Sequence, residues 1–259
     1  MPVFDAHMIL TILGVAVVSG ILGLDRTAAG QFMVSQPIVA GPVTGWLLGD
    51  ATAGLVIGAA LELIWLLDMP VGTFVPADAT LGTVAATAIA VIGRTGGAPL
   101  PVIGFSMLLT GAIMPLTMQA DNFIRKGNSK LAEHALSATG EGATHALTTA
   151  HLEGLVFFFL KSFLLCLVIV PLGMVAVSGF EQLPGAVHRA LSLFVKLLPL
   201  LGAALVARKL SMRAFDHYLL AGFVIAAVTG QLMHVPSLIV MVLTVIAGWF
   251  GARYNEQRS

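Results

Sequence analysis

Long apolar stretches separated by short polar interruptions set the elements of this chain. Asp, Glu, Lys and Arg are absent from Thr27 to Gly49, Ala79 to Gly93, Thr95 to Ala120, Ser162 to Phe180 and His217 to Ala252. A spanning helix needs about 20 predominantly apolar residues, and several of these runs reach that length. Backbone in hydrocarbon must satisfy its own hydrogen bonds, which leaves a helix or a closed barrel. The runs lack the alternation of a barrel strand. The pattern therefore predicts an all-α polytopic membrane protein with about seven spanning helices, near residues 8–24, 79–93, 101–118, 154–178, 186–206, 215–233 and 236–252.

Two places depart from this pattern. Residues 37–49 and 52–67 are apolar but short or glycine-rich. Paired short segments interrupted by Gly and Pro point to re-entrant or broken helices at a transporter's binding site, here expected across residues 37–78. The second departure is a polar insert from Gln119 to Glu153. It reads as a solvated loop holding one weak amphipathic helix, "KLAEHAL", or as a docking surface, since so long a connection is uncommon without a role.

Composition agrees with the membrane reading. The chain of 259 residues is 58% hydrophobic and 10% charged, with a mean hydropathy of +0.96, against about 25% charged in soluble domains. Net charge is zero, with no basic stripe for nucleic acid. Cys166 alone provides neither a disulfide framework nor a thiolate metal site, and no cofactor or metal is expected. The first segment lacks the positive start of a signal peptide and reads as an uncleaved helix. The basic residues Arg125, Lys126 and Lys130, then Arg208, Lys209 and Arg213, then Arg253 and Arg258, fall on one side of the predicted crossings. By the positive-inside tendency that side is cytoplasmic, which puts the insert and the C-terminus there; the N-terminus falls outside only if residues 37–67 return to the side they left.

Within "GWLLGDATAGLVIGAALELIWL", residues 45–66, two carboxylates stand in an otherwise apolar segment. A charge at the bilayer centre costs about 2.5–3.5 kcal/mol on insertion scales. Gly41, Gly45 and Gly49 recur every four residues, and Gly54, Gly58 and Glu62 share a helical face. Small residues at that spacing let backbones approach closely in lipid, and they also leave room for a ligand. Glu62 is thus either a ligand-binding carboxylate or half of a structural ion pair. The polar side chains in and beside this region, Gln36, Asp50, Glu62, Asp68, Thr73 and Asp78, are the candidates for ligand binding, with Gly45, Gly49, Gly54 and Gly58 as the packing signature. Trp65 offers a stacking face, and Pro70, Gly72 and Pro76 interrupt helix nearby. Asp25 and Arg26 read as a pair at an interface.

The stretch "GWLLGDATAGLVIGAALE" resembles the membrane signature of the mannose-type (mannose–fructose–sorbose) phosphotransferase system enzyme IIC subunit. Gly45, Gly49, Asp50, Gly54, Leu55, Val56, Gly58 and Glu62 match it, and Ala59 replaces a second glycine. The following "DMPVGTFVPADATLGTVAATAIAVIG" is similar to the family's next segment, and Ser35-Gln36-Pro37 stands where an Arg-Pro element is common. Chain length and the polar insert are also similar. The resemblance implies a subunit in the bacterial cytoplasmic membrane that translocates a hexose or amino sugar. It implies a IID membrane partner, cytoplasmic IIA and IIB phosphocarriers, and a hetero-oligomer unable to transport alone. It implies no catalytic residue here, since phosphoryl transfer belongs to IIB. Consistent with that, the chain carries no Walker loop and no His-Glu-x-x-His. A different class remains open beside it: a secondary transporter, or membrane scaffold, in which Asp50 and Glu62 serve a proton or cation.

Overall fold

A computed structural model of the chain describes residues 5–65, 75–92, 97–138, 142–180 and 182–210, with residues 94, 222 and 224. The chain divides into two compact units, residues 1–203 and residues 204–259. Among the described residues the elements are helices, in the order α1 (Ala6–Thr27), α2 (Pro37–Leu47), α3 (Ala51–Trp65), α4 (Ala79–Val91), α5 (Leu100–Ser137), α6 (Gly142–Phe180) and α7 (Gly185–Leu210).

The all-α membrane reading holds, but the described residues do not support a count of about seven spanning helices. Four of the described helices are long and apolar enough to cross a bilayer: α1, α5, α6 and α7. The expected span at 79–93 is the short helix α4. Asp78 caps its start, its Oδ1 accepting from Leu81 N at 3.1 Å, and the helix runs 13 residues, about 20 Å at 1.5 Å per residue. Its residues are mostly Ala, Thr, Val and Gly, so neighbouring helices close on it from all sides, and every residue from Thr80 to Val91 is buried. A short apolar run of this kind is a core helix rather than a span. The expected spans at 215–233 and 236–252 lie outside the described residues, apart from residues 222 and 224.

The break expected in residues 37–67 is present. Helices α2 and α3 form a hairpin whose turn, Leu48 to Asp50, places Gly49 at φ +86°, a backbone region that side chains resist. Glycines bring the two helices together. A methyl group added to Gly41 would strike the Gly54 carbonyl and lie 2.9 Å from the Gly58 Cα. One added to Gly45 would strike the Asp50 carbonyl and lie 3.0 Å from the Gly54 Cα. Gly41, Gly45, Gly54 and Gly58 are therefore a backbone-to-backbone seam, whereas Gly49 serves the turn and has open space around it.

Among the described residues of the insert, 119–137 and 142–153 are helical rather than a loop. Helix α5 continues unbroken to Ser137 and α6 begins at Gly142, so the insert is the outer part of two helices of 38 and 39 residues. Helices of that length extend about 57 Å, well past the roughly 30 Å hydrocarbon core. Polar sequence here marks where the helices leave lipid, not where they end.

Candidate functional site

The two carboxylates of the signature cap helices. Asp50 precedes α3, its Oδ1 accepting from Ala53 N at 2.9 Å and its Oδ2 from Ala98 N at 3.0 Å. It thereby ties the hairpin turn to the connection before α5, where Gly97 stands at φ +95°. Glu62 Oε2 accepts from Ile38 N at 3.1 Å, reaching across the hairpin to the start of α2. There Gln36 provides no side-chain cap and Pro37 opens the helix. The first N–H groups of a helix lack intrahelical partners and favour negative charge, which is what each carboxylate supplies.

Beyond the hairpin, where α1 ends, the chain folds around a cavity of about 340 Å³. Asp25 shapes its wall: its carboxylate accepts from Phe32 N at 2.6 Å and Ser35 N at 3.0 Å, pinning a reversal through Gly30, Gln31 and Met33, all at positive φ. Thr80 Oγ1, at the start of α4, donates to Ser35 O at 2.7 Å and locks the same segment from the other side. Asp25, Arg26, Gln36, Trp65, Thr80 and Arg125 are among the residues lining the cavity. The wall thus offers guanidinium and amide donors, carboxylate, amide and hydroxyl acceptors, and an indole.

Against this wall lies a cluster of four charges, with Asp78, Asp121 and Lys161 buried and Arg26 half-buried. Lys161 Nζ on α6 donates to Asp78 Oδ2 and to Asp121 Oδ1, each at 2.6 Å. Arg26 Nη1 stands 3.4 Å from Asp78 Oδ1 and 3.7 Å from Asp121 Oδ2. Arg26 Nη2 donates to the carbonyls of Pro76 and Ala77, both at 2.9 Å. Two cations face two carboxylates, so the cluster is neutral, as buried charge must be. The cluster joins the end of α1, the start of α4, α5 and α6 at one point.

Of the residues expected to bind ligand, Gln36 lines the cavity and Asp78 sits in the cluster behind its wall. Asp50 and Glu62 are engaged in the hairpin, and Asp68 and Thr73 lie outside the described residues. Sequence reasoning passed over Asp121, Arg125 and Lys161 as site residues. Lys161 carried a signal: it is the one charge between Gly154 and Phe180, and an ionisable residue inside a spanning segment calls for a named partner.

Residues 9–250 match the family described as "PTS system sorbose-specific IIC component". The PTS system mannose-specific EIIC component of Escherichia coli (strain K12) is 25% identical, over 95% of this chain and 91% of that protein. A solved structure titled "Structure of membrane protein" superposes with a TM-score of 0.74 at 21% identity, covering 98% of this chain and 99% of the other. A cryo-EM structure of the mannose transporter ManYZ in complex with microcin E492 gives 0.55 at 22% identity, with the same coverage. At those identities the two structures speak for the fold alone. The family match runs through nearly the whole chain, and the chain belongs to the mannose-type IIC subunits of the phosphotransferase system, the family of sorbose-specific IIC components.

Proposed function

We propose that this subunit carries a hexose or amino sugar across the bacterial cytoplasmic membrane, and that the sugar occupies the cavity beside Arg26. It is a transport subunit rather than an enzyme. The phosphoryl group comes from a cytoplasmic IIB protein charged through IIA, and a IID membrane subunit completes the assembly. The observation that carries the reading is the cavity: about 340 Å³ falls at the lower end of small-molecule sites. Its wall places Gln36 and Thr80, which donate and accept, near the indole of Trp65. Hydroxyl-rich rings are bound by that combination of polar edge and apolar face. Basic residues of the α5–α6 extension support a cytoplasmic position for that end of the cavity and for the C-terminus.

Ion coupling through Asp50 and Glu62 is less favoured, because both Asp50 oxygens accept from Ala53 and Ala98 and Glu62 Oε2 accepts from Ile38. The test is direct binding of hexoses and amino sugars to the chain co-purified with its IID partner. Gln36→Ala should lower affinity several-fold. Sugar affinity untouched by Gln36→Ala and by Thr80→Val would move the site elsewhere.

A further inference from the structure

Arg125 stands out among the groups around the cavity. It lies on α5 one turn beyond Asp121, is half-buried, and lines the cavity. Its Nε is buried without an acceptor, and its guanidinium carbon lies 6.0 Å from the centre of the Phe158 ring. Among the described residues no carboxylate pairs with it. The nearby anions are committed elsewhere: Asp121 and Asp78 to Lys161 and Arg26, and Asp25 to the N–H groups of Phe32 and Ser35. A half-buried guanidinium with an unmet donor is costly to leave alone, and an anion in the cavity would meet it.

We propose that Arg125 is the phosphate-recognising end of the cavity, which takes the phosphate monoester of the transported sugar as well as the sugar itself. This rests on the sugar-cavity reading above. A neutral hydroxyl does not need a full charge, whereas a guanidinium presents a planar fork that fits two phosphate oxygens. The ring of Phe158 holds that fork in place beforehand, which lowers the ordering cost on binding. On the opposite side Arg26 and Lys161 are taken up by Asp78 and Asp121, so Arg125 is the cation left to meet an added dianion. The α5–α6 extension begins there, and a phosphorylated sugar leaves the membrane on that side.

The test uses the chain co-purified with its IID partner in nanodiscs of phosphatidylcholine. Affinities are measured for mannose and sorbose, each beside its phosphate ester, and for inorganic phosphate, in the native chain and in Arg125→Gln and Arg125→Lys. The ester should bind about tenfold or more tighter than its parent sugar, as a charge-assisted contact implies. That ratio should fall to about one in Arg125→Gln and recover in part in Arg125→Lys. Inorganic phosphate should compete with the ester and lose that ability in Arg125→Gln. A ratio near one in the native chain, or a ratio that survives Arg125→Gln, overturns the proposal while leaving the sugar cavity standing. Binding of neither sugar nor ester overturns the sugar-cavity reading and this proposal with it. Nanodiscs containing phosphatidylglycerol separate the remaining source of phosphate: competition between that lipid and the ester would assign Arg125 to a headgroup and overturn the proposal.

Discussion

Glu62, near the end of α3, holds the start of α2: its Oε2 accepts from Ile38 N at 3.1 Å across the hairpin. The contact closes the open ends of the two helices, while Asp50 fastens their turn. Loss of a helix-capping acceptor costs about 0.5–2 kcal/mol. Glu62→Ala should therefore lower the thermal midpoint of the assembled protein, with Glu62→Gln intermediate because it keeps an acceptor oxygen. A tenfold loss of sugar affinity at an unchanged midpoint would instead place Glu62 at the ligand.

The glycine seam makes a sharper demand. Gly41→Ala and Gly54→Ala each drive a methyl group into facing backbone, and overpacking of this kind costs about 1–3 kcal/mol. Gly14→Ala on α1, where nothing lies within 4 Å, should be neutral or slightly stabilising. Thermal unfolding of the three variants in one detergent checks the ranking.

The charge cluster should respond to balance rather than to any single residue. Lys161→Met leaves Asp78 and Asp121 facing only Arg26, and breaking a buried pair costs about 3–5 kcal/mol. Adding Asp121→Asn restores neutrality and should return part of that loss. Expression level and unfolding midpoint of the single and double variants would reveal it; a double variant worse than Lys161→Met would mean that packing, not charge, sets the stability there.

Orientation can be read chemically. Ser129 and Ser137 are exposed on the far part of α5, and Cys166 is buried and silent. Cysteines placed at 129 and 137 should resist impermeant thiol reagents in intact cells and label readily in inside-out vesicles. Labelling from outside would invert the topology.

The chain reconstituted by itself should not transport sugar, whereas co-reconstitution with the IID partner should. Uptake at the full rate by this polypeptide alone would remove the need for a partner.

How far the sequence disclosed this arrangement depends on whether a property is local. Glycine spacing from Gly41 to Gly58 is local, so both the hairpin and its close seam were legible. The charged residues of the site come from four helices, and their meeting depends on how those helices pack. Arg26 could be suspected of pairing, but Asp78, Asp121 and Lys161 are separated by as many as 83 positions, and no periodicity links them. The carboxylates of the signature drew attention as ligand candidates because buried charge is expensive. Backbone N–H groups at helix starts absorb that cost, and a sequence does not show which helix start lies opposite. Hydropathy misread α4 for a similar reason: a short apolar run wrapped by other helices and one wrapped by lipid have the same composition.

The length of α5 and α6 gives them a mechanical role. Asp121 and Lys161 are bonded to each other at the base of the extension, and the stretches from Asp121 to Ser137 and from Gly142 to Lys161 contain no proline. With no proline to kink it, each stretch acts as an arm whose short end is a charged side chain. A push of a few ångströms at the tip, some 25 Å away by helical rise, arrives at the base as a fraction of an ångström. Hydrogen bonds of 2.6 Å between full charges are sensitive to displacements that small. Whatever touches the far end of these helices therefore has a lever on the wall of the cavity.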